Sequence, residues 1–118
     1  MKTVLERAVA AATITRAVEV APGALGSVPA VFARLFGGRA CTVVADGNTM
    51  AAAGTRVEQV LRGARISVEP AIVFPGTPRQ KPRVESAGDV AARLRASSTI
   101  PIAVGSGVIN DVTKLAAE

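Results

Sequence analysis

The segment Ala40 to Ala45 is apolar at every position except Thr42, and it lies between two stretches whose apolar residues recur at helical spacing. A strand with no polar face must be covered on both sides, a condition met by a parallel sheet layered between helices. Before it, Leu25, Val28, Val31, Phe32, Leu35 and Phe36 recur at intervals of three and four, which predicts an amphipathic helix from Ala24 to Phe36 ended by Gly37-Gly38. After it, Asp46-Gly47-Asn48-Thr49 turns the chain, and Thr49 is the expected N-cap of a helix from Met50 to about Arg62, closed by Gly63.

The same alternation continues in both directions. Thr13 to Val20 reads as an earlier strand, broken by Ala21-Pro22-Gly23. Ile66 to Phe74 reads as a later one, in which Pro70 forces either an edge position or a start at Ala71. After the loop Pro75-Gly76-Thr77-Pro78, a helix is predicted from about Pro82 to Ala96, then a strand from Pro101 to Val104. Gly105-Ser106-Gly107 leads into a last helix. Four strands alternating with helices across short connections predict an α/β fold, a Rossmann-like parallel sheet with right-handed crossovers. The final pattern runs through Val112 to Glu118 without a capping Gly, a Pro or a polar tail, which predicts a truncated chain.

Composition narrows the chemistry. The 118 residues, 49% hydrophobic, suffice for one core, and with three Phe and no Trp or Tyr that core must be aliphatic. With no His there is no proton shuttle near neutral pH and no imidazole ligand for a metal, so no metal site and no catalytic residue is expected in this chain. Cys41, the only cysteine, reads as a buried structural thiol. The net charge of +5 is spread over scattered Arg residues without a basic run or surface aromatics, so no nucleic-acid partner is expected. No apolar stretch approaches a membrane span, and Met1 to Arg7 lacks a signal-peptide pattern; a cytoplasmic location is the expectation.

Ligands of open parallel sheets bind beyond the carboxyl ends of the strands. Asp46 ends the second predicted strand, and Asp111 falls in the first turns of the helix after the fourth. Gly105-Ser106-Gly107 can offer bare backbone N–H groups and a helix N-terminus to a pyrophosphate, or can simply make a tight turn. The G-x-G-x-x-G dinucleotide pattern fails, because Asn110 stands at its third glycine. What stands instead is Gly105-Ser106-Gly107-Val108-Ile109-Asn110-Asp111-Val112-Thr113-Lys114, with Asp111 and Lys114 on one helical face.

This stretch resembles the Gly-Gly-Gly-x-x-x-Asp-x-x-Lys motif of the iron-containing alcohol dehydrogenase and glycerol dehydrogenase superfamily, which includes 3-dehydroquinate synthase. Gly-Ser-Gly in place of the triple glycine, Asn110-Asp111, Val43 to Thr49 and Pro22 to Leu25 look closest to its sn-glycerol-1-phosphate dehydrogenase branch. The resemblance implies the N-terminal domain of the dehydroquinate synthase-like fold, here residues 1–118, binding NAD or NADP. The cofactor-binding residues it implies are Gly105, Ser106 and Gly107 at the pyrophosphate, Asp46 at the adenosine ribose and Thr77 beside the adenine. Asp111, with Asn110, would lie toward the nicotinamide and substrate. It also implies an absent helical domain carrying zinc or iron, a glycerol-phosphate or polyol substrate, and an isolated chain that does not catalyse. A 3-dehydroquinate synthase-like lyase domain and a non-catalytic nucleotide-binding module are the alternatives, and a homo-oligomer is left open.

Overall fold

A computed structural model describes residues 23–75, 84–105 and 107–117. Its frame is a parallel sheet of β1 (Cys41–Asp46), β2 (Val68–Phe74) and β3 (Ile100–Val104), in the order β2-β1-β3. Around it lie α1 (Val28–Phe36), α2 (Thr55–Gly63), α3 (Val84–Ser97) and α4 (Gly107–Ala117). The parallel α/β expectation is met over these three strands. The strand predicted at Thr13 to Val20 lies outside the described residues, as does the loop from Gly76 to Lys81.

β1 is central, and Cys41 through Ala45 are all buried. Because side chains alternate along a strand, Cys41, Val43 and Ala45 face one layer and join Phe32 of α1 and Val57 and Leu61 of α2. Val44 faces the other layer with Ile72, Val90 and Leu94 of α3, and Ile109 of α4. The polar exception is satisfied locally: Thr42 Oγ1 lies 2.5 Å from Thr99 Oγ1, which is 2.9 Å from Ser97 Oγ. Left unpaired, each of these hydroxyls would cost about 1–3 kcal/mol in the interior.

β2 settles the question raised by Pro70. The strand begins at Val68, two residues after the expected Ile66, and passes straight through the proline on an outer position of the described sheet. Glu69 pairs with Thr42 and Ile72 with Val44, so Pro70 and Ala71 together oppose Val43. That irregularity accommodates a residue with no N–H to give to the ladder.

Two helices are followed by a left-handed residue that is not glycine. Gly63 closes α2 as its last residue, and the left-handed conformation falls two positions on, at Arg65 (φ 65°). The amide of Ile66 bonds the Leu61 carbonyl at 3.0 Å and that of Arg65 bonds Arg62 at 2.9 Å, a Schellman arrangement. Ser98 (φ 54°) occupies the same place after α3, where Thr99 N donates to Leu94 O. Burying Ile66 against the core at this bend compensates for a non-glycine residue there.

Cys41 is fully buried as predicted, and its Sγ is 3.6 Å from the Ser67 carbonyl. Burial pushes its thiol up from the ordinary value, and the charge of Glu58 adds to this while Arg62 opposes it. A group whose folded pKa is raised contributes stability that is fully present below its unfolded pKa and is lost as pH rises through the folded value. Stability is therefore expected to fall as pH is raised past the ordinary cysteine range, and Cys41→Ala is expected to flatten that decline. Denaturant midpoints of both proteins across an alkaline pH series measure it; parallel declines would show that other groups dominate.

Candidate site at the carboxyl edge of the sheet

The connections after β1 and β3 leave toward opposite faces. After β1 the chain passes to α2, which packs on the Val43 side, and after β3 it passes to α4, which packs on the Val44 side. Adjacent strands whose following helices diverge leave a crevice between their carboxyl ends, the place where ligands of open α/β sheets bind. Asp46 and Gly105 stand on the two sides of that crevice.

On the β1 side the structure corrects the expected cap. Thr49 does not cap a helix beginning at Met50; the helical turn begins at Gly47 and Asp46 is its N-cap. Asp46 Oδ1 accepts from Thr49 N at 2.8 Å, and Thr49 Oγ1 accepts from Asp46 N at 3.0 Å. This reciprocal pair is a capping box, and its signal in the sequence is an Asp followed by a Thr three residues later. Gly47–Thr49 runs without a break into a wide turn, Met50–Gly54, and then into α2.

The carboxylate thus has a structural duty, but Oδ1 alone performs it, and Asp46 remains half-buried rather than enclosed. Asp46→Ala is expected to cost about 1 kcal/mol from loss of the cap, whereas Asp46→Asn, which keeps an acceptor, should cost a few tenths. Urea midpoints of the two variants test this; equal losses would mean that the charge, not the cap, is what stabilises.

On the β3 side Gly105 is exposed to solvent, and α4 starts two residues later at Gly107. A side chain at Gly105 has no room: a Cβ there would lie 2.9 Å from Ile109 Cγ1 and 3.3 Å from Thr49 Oγ1. The glycine therefore lets strand, helix and the β1 bend approach closely, while its backbone stays open to water. Tight-turn packing and accessible backbone, the two readings of the glycines, coexist at this residue. Thr49, which sequence reasoning placed only as a cap, stands beside Gly105, where an added Cβ would meet its Oγ1.

The remaining predicted residues divide. Asn110 and Asp111 are exposed on α4. Lys114 is exposed as well, and among the described residues no ion pair joins it to Asp111; the described ion pair is Arg62 with Glu58, at 3.7 Å. Ser106 and Thr77 lie outside the described residues. A wide cleft of about 820 Å3 opens not at this edge but at the other end of β3, beside Phe36, Ile100 and Pro101. It is lined by the far end of α4, at Ala116 and Ala117, and not by the residues that follow β1 and β3, so it does not belong to the crevice.

The bare backbone at the start of α4, held open beside a half-buried carboxylate, suits the phosphates and ribose of a nucleotide. The chain has no His, and among the described residues no three metal-binding side chains group together. Among the described residues, no helix is long and apolar enough to cross a membrane.

Fold and crevice together define a Rossmann-like α/β domain with a ligand edge. The sequence pattern of iron-containing alcohol dehydrogenases matches residues 19–118, and the chain belongs to that family, which places it among the alcohol dehydrogenase-type oxidoreductases. No curated protein and no solved structure matches it significantly.

Proposed function

We propose that this chain is the NAD(P)-binding domain of a metal-dependent dehydrogenase acting on glycerol 1-phosphate, dihydroxyacetone phosphate or a related polyol. The observation that carries the reading is the exposed Gly105 backbone at the head of α4, set against Thr49 at the point where the helices diverge. There the N–H groups of the Gly105–Gly107 bend and the positive end of α4 hold the bridging phosphates. Asp46, through the oxygen its cap does not use, accepts from the adenosine ribose hydroxyls. Asn110 and Asp111 stand toward the nicotinamide and substrate, and Thr77 beside the adenine. When bound, the nicotinamide supplies the hydride acceptor or donor.

The chain's own residues bind and orient; polarising a substrate hydroxyl is not their part, since the sequence has no His and the described residues hold no carboxylate cluster. We assign that step to a metal held by a further helical domain. The Gly-Ser-Gly bend and the Asn110-Asp111 pair support the glycerol-phosphate branch over a lyase.

Titration of the chain with NADH, NADPH, ATP and a mixed-sequence oligonucleotide at moderate salt tests the reading. Saturable binding of a dinucleotide, with ATP weaker and the oligonucleotide not retained, is the expected result. Oligonucleotide binding without dinucleotide binding would overturn it and point to the net positive charge as the source of affinity.

A further inference from the structure

Three hydroxyls near the start of β1 and β3 form a chain whose direction is fixed by its last member. Ser97 Oγ donates to the Arg93 carbonyl at 3.0 Å, which commits its only hydrogen. Thr99 Oγ1, 2.9 Å away, must then donate to Ser97, and Thr42 Oγ1 must donate to Thr99. Run the other way, the chain would give up the bond to Arg93, so this direction makes one bond more. It leaves one oxygen that gives a hydrogen and receives none. That oxygen is Thr42 Oγ1, on a residue only 3% exposed, and none of the described residues donates to it.

Thr42 borders a cavity of about 110 Å3, lined also by Glu69, Pro70, Ile72, Arg93 and Ser97. The cavity has a cause in the sequence. Pro70 has no N–H for the ladder, and the pairing of β2 with β1 shifts register there. A strand bends at such a shift, which opens room beside Pro70.

We propose that ordered water occupies this cavity and donates to Thr42 Oγ1 and Ser97 Oγ. The room suffices, since a water molecule takes about 30 Å3 of liquid volume and needs two to four polar partners. The reach suffices too. Thr42 Oγ1 and Ser97 Oγ are at most two hydrogen-bond lengths apart, because each bonds Thr99 Oγ1, and one water spans such a gap. Ser97 Oγ keeps a lone pair for it after accepting from Thr99, and the water's own oxygen is left to accept from the Arg93 guanidinium. The lining selects a neutral occupant: a cation would meet Arg93, and an anion would meet Glu69. Water also serves Thr42 in either direction of the chain, because it both gives and receives. So placed, it joins the last turn of α3 to β1 where the register shift weakens the ladder.

Oxygen-17 magnetic relaxation dispersion on the full 118-residue chain tests the assignment. It counts water molecules that tumble with the protein and is blind to exchange of hydroxyl protons. At least one is expected in the unaltered chain. Thr42→Val keeps the shape of the side chain and removes its oxygen, and the count is expected to fall by one or more. No long-lived water in the unaltered chain overturns the proposal, as does a count that Thr42→Val leaves unchanged. Ammonium chloride and sodium sulfate test charged occupants: a saturable shift of the Thr42 methyl resonance with either salt, and not with sodium chloride, also overturns it. If Thr42→Val does not fold, a crystal structure of the unaltered chain decides. A water on Thr42 Oγ1 supports the assignment, and an empty cavity or the Arg93 guanidinium in that place overturns it.

Discussion

Gly105→Val is expected both to destabilise the fold and to weaken dinucleotide binding. Its Cβ would enter within 3.0 Å of Ile109 Cβ and 2.9 Å of Ile109 Cγ1. Ile109 is 1% exposed and packed with Val44, Ile72, Val90 and Leu94, so it has nowhere to retreat. Overpacking of this kind costs about 1–3 kcal/mol, and the valine methyls add bulk over the backbone at the head of α4. Losing one or two charge-assisted bonds to a phosphate corresponds to roughly a 10- to 100-fold fall in affinity. Urea unfolding and NADH titration of the same protein separate the two effects. Lower stability with unchanged affinity would leave Gly105 a packing residue alone, and unchanged stability would refute the close approach.

Leu61→Ala is expected to produce the largest loss of stability, about 3 kcal/mol. Leu61 is fully buried on α2, facing Cys41, Val43 and Ala45 with Phe32 and Val57. Its carbonyl also closes the end of the helix by accepting from Ile66 N. For a domain whose whole stability is of the order of 5–15 kcal/mol, that is a substantial fraction. The denaturant midpoint should fall with little change in slope, and a loss below about 1 kcal/mol would show that the α2 layer collapses to heal the cavity.

The parts of this fold that could be read from the sequence are those where one periodicity held without competition. Ala40 to Ala45 announced a strand buried on both faces because five of its six positions are apolar, and β1 is that strand. Helix stops were less legible. Gly63 marked the end of α2, but nothing in the pattern marked Arg65 as the left-handed residue beyond it, where Ile66 packs against the core. At the crevice, Asp46 could be placed at the strand end from spacing alone. That Thr49 would stand beside Gly105 could not, since the two lie more than fifty positions apart and their approach depends on β1 and β3 being neighbours. The hydroxyl pair Thr42 and Thr99 was hidden for the same reason.

The wide turn at Met50–Gly54 lies between the Asp46 cap and the buried residues of α2, and Thr55 N reaches back to the Met50 carbonyl across it. Each residue inserted into a helix rotates all later positions by about 100°. The ligand-facing and core-facing stretches of this continuous segment are therefore set by different phases: Val57 and Leu61 answer to the sheet, while Thr49 answers to Gly105. Gain or loss of one alanine among Ala51, Ala52 and Ala53 would re-aim the mouth of the crevice while the hydrophobic register behind it stayed fixed. The fold thus holds a joint directly behind the crevice, where one residue more or less would turn the Asp46 end without rebuilding the core.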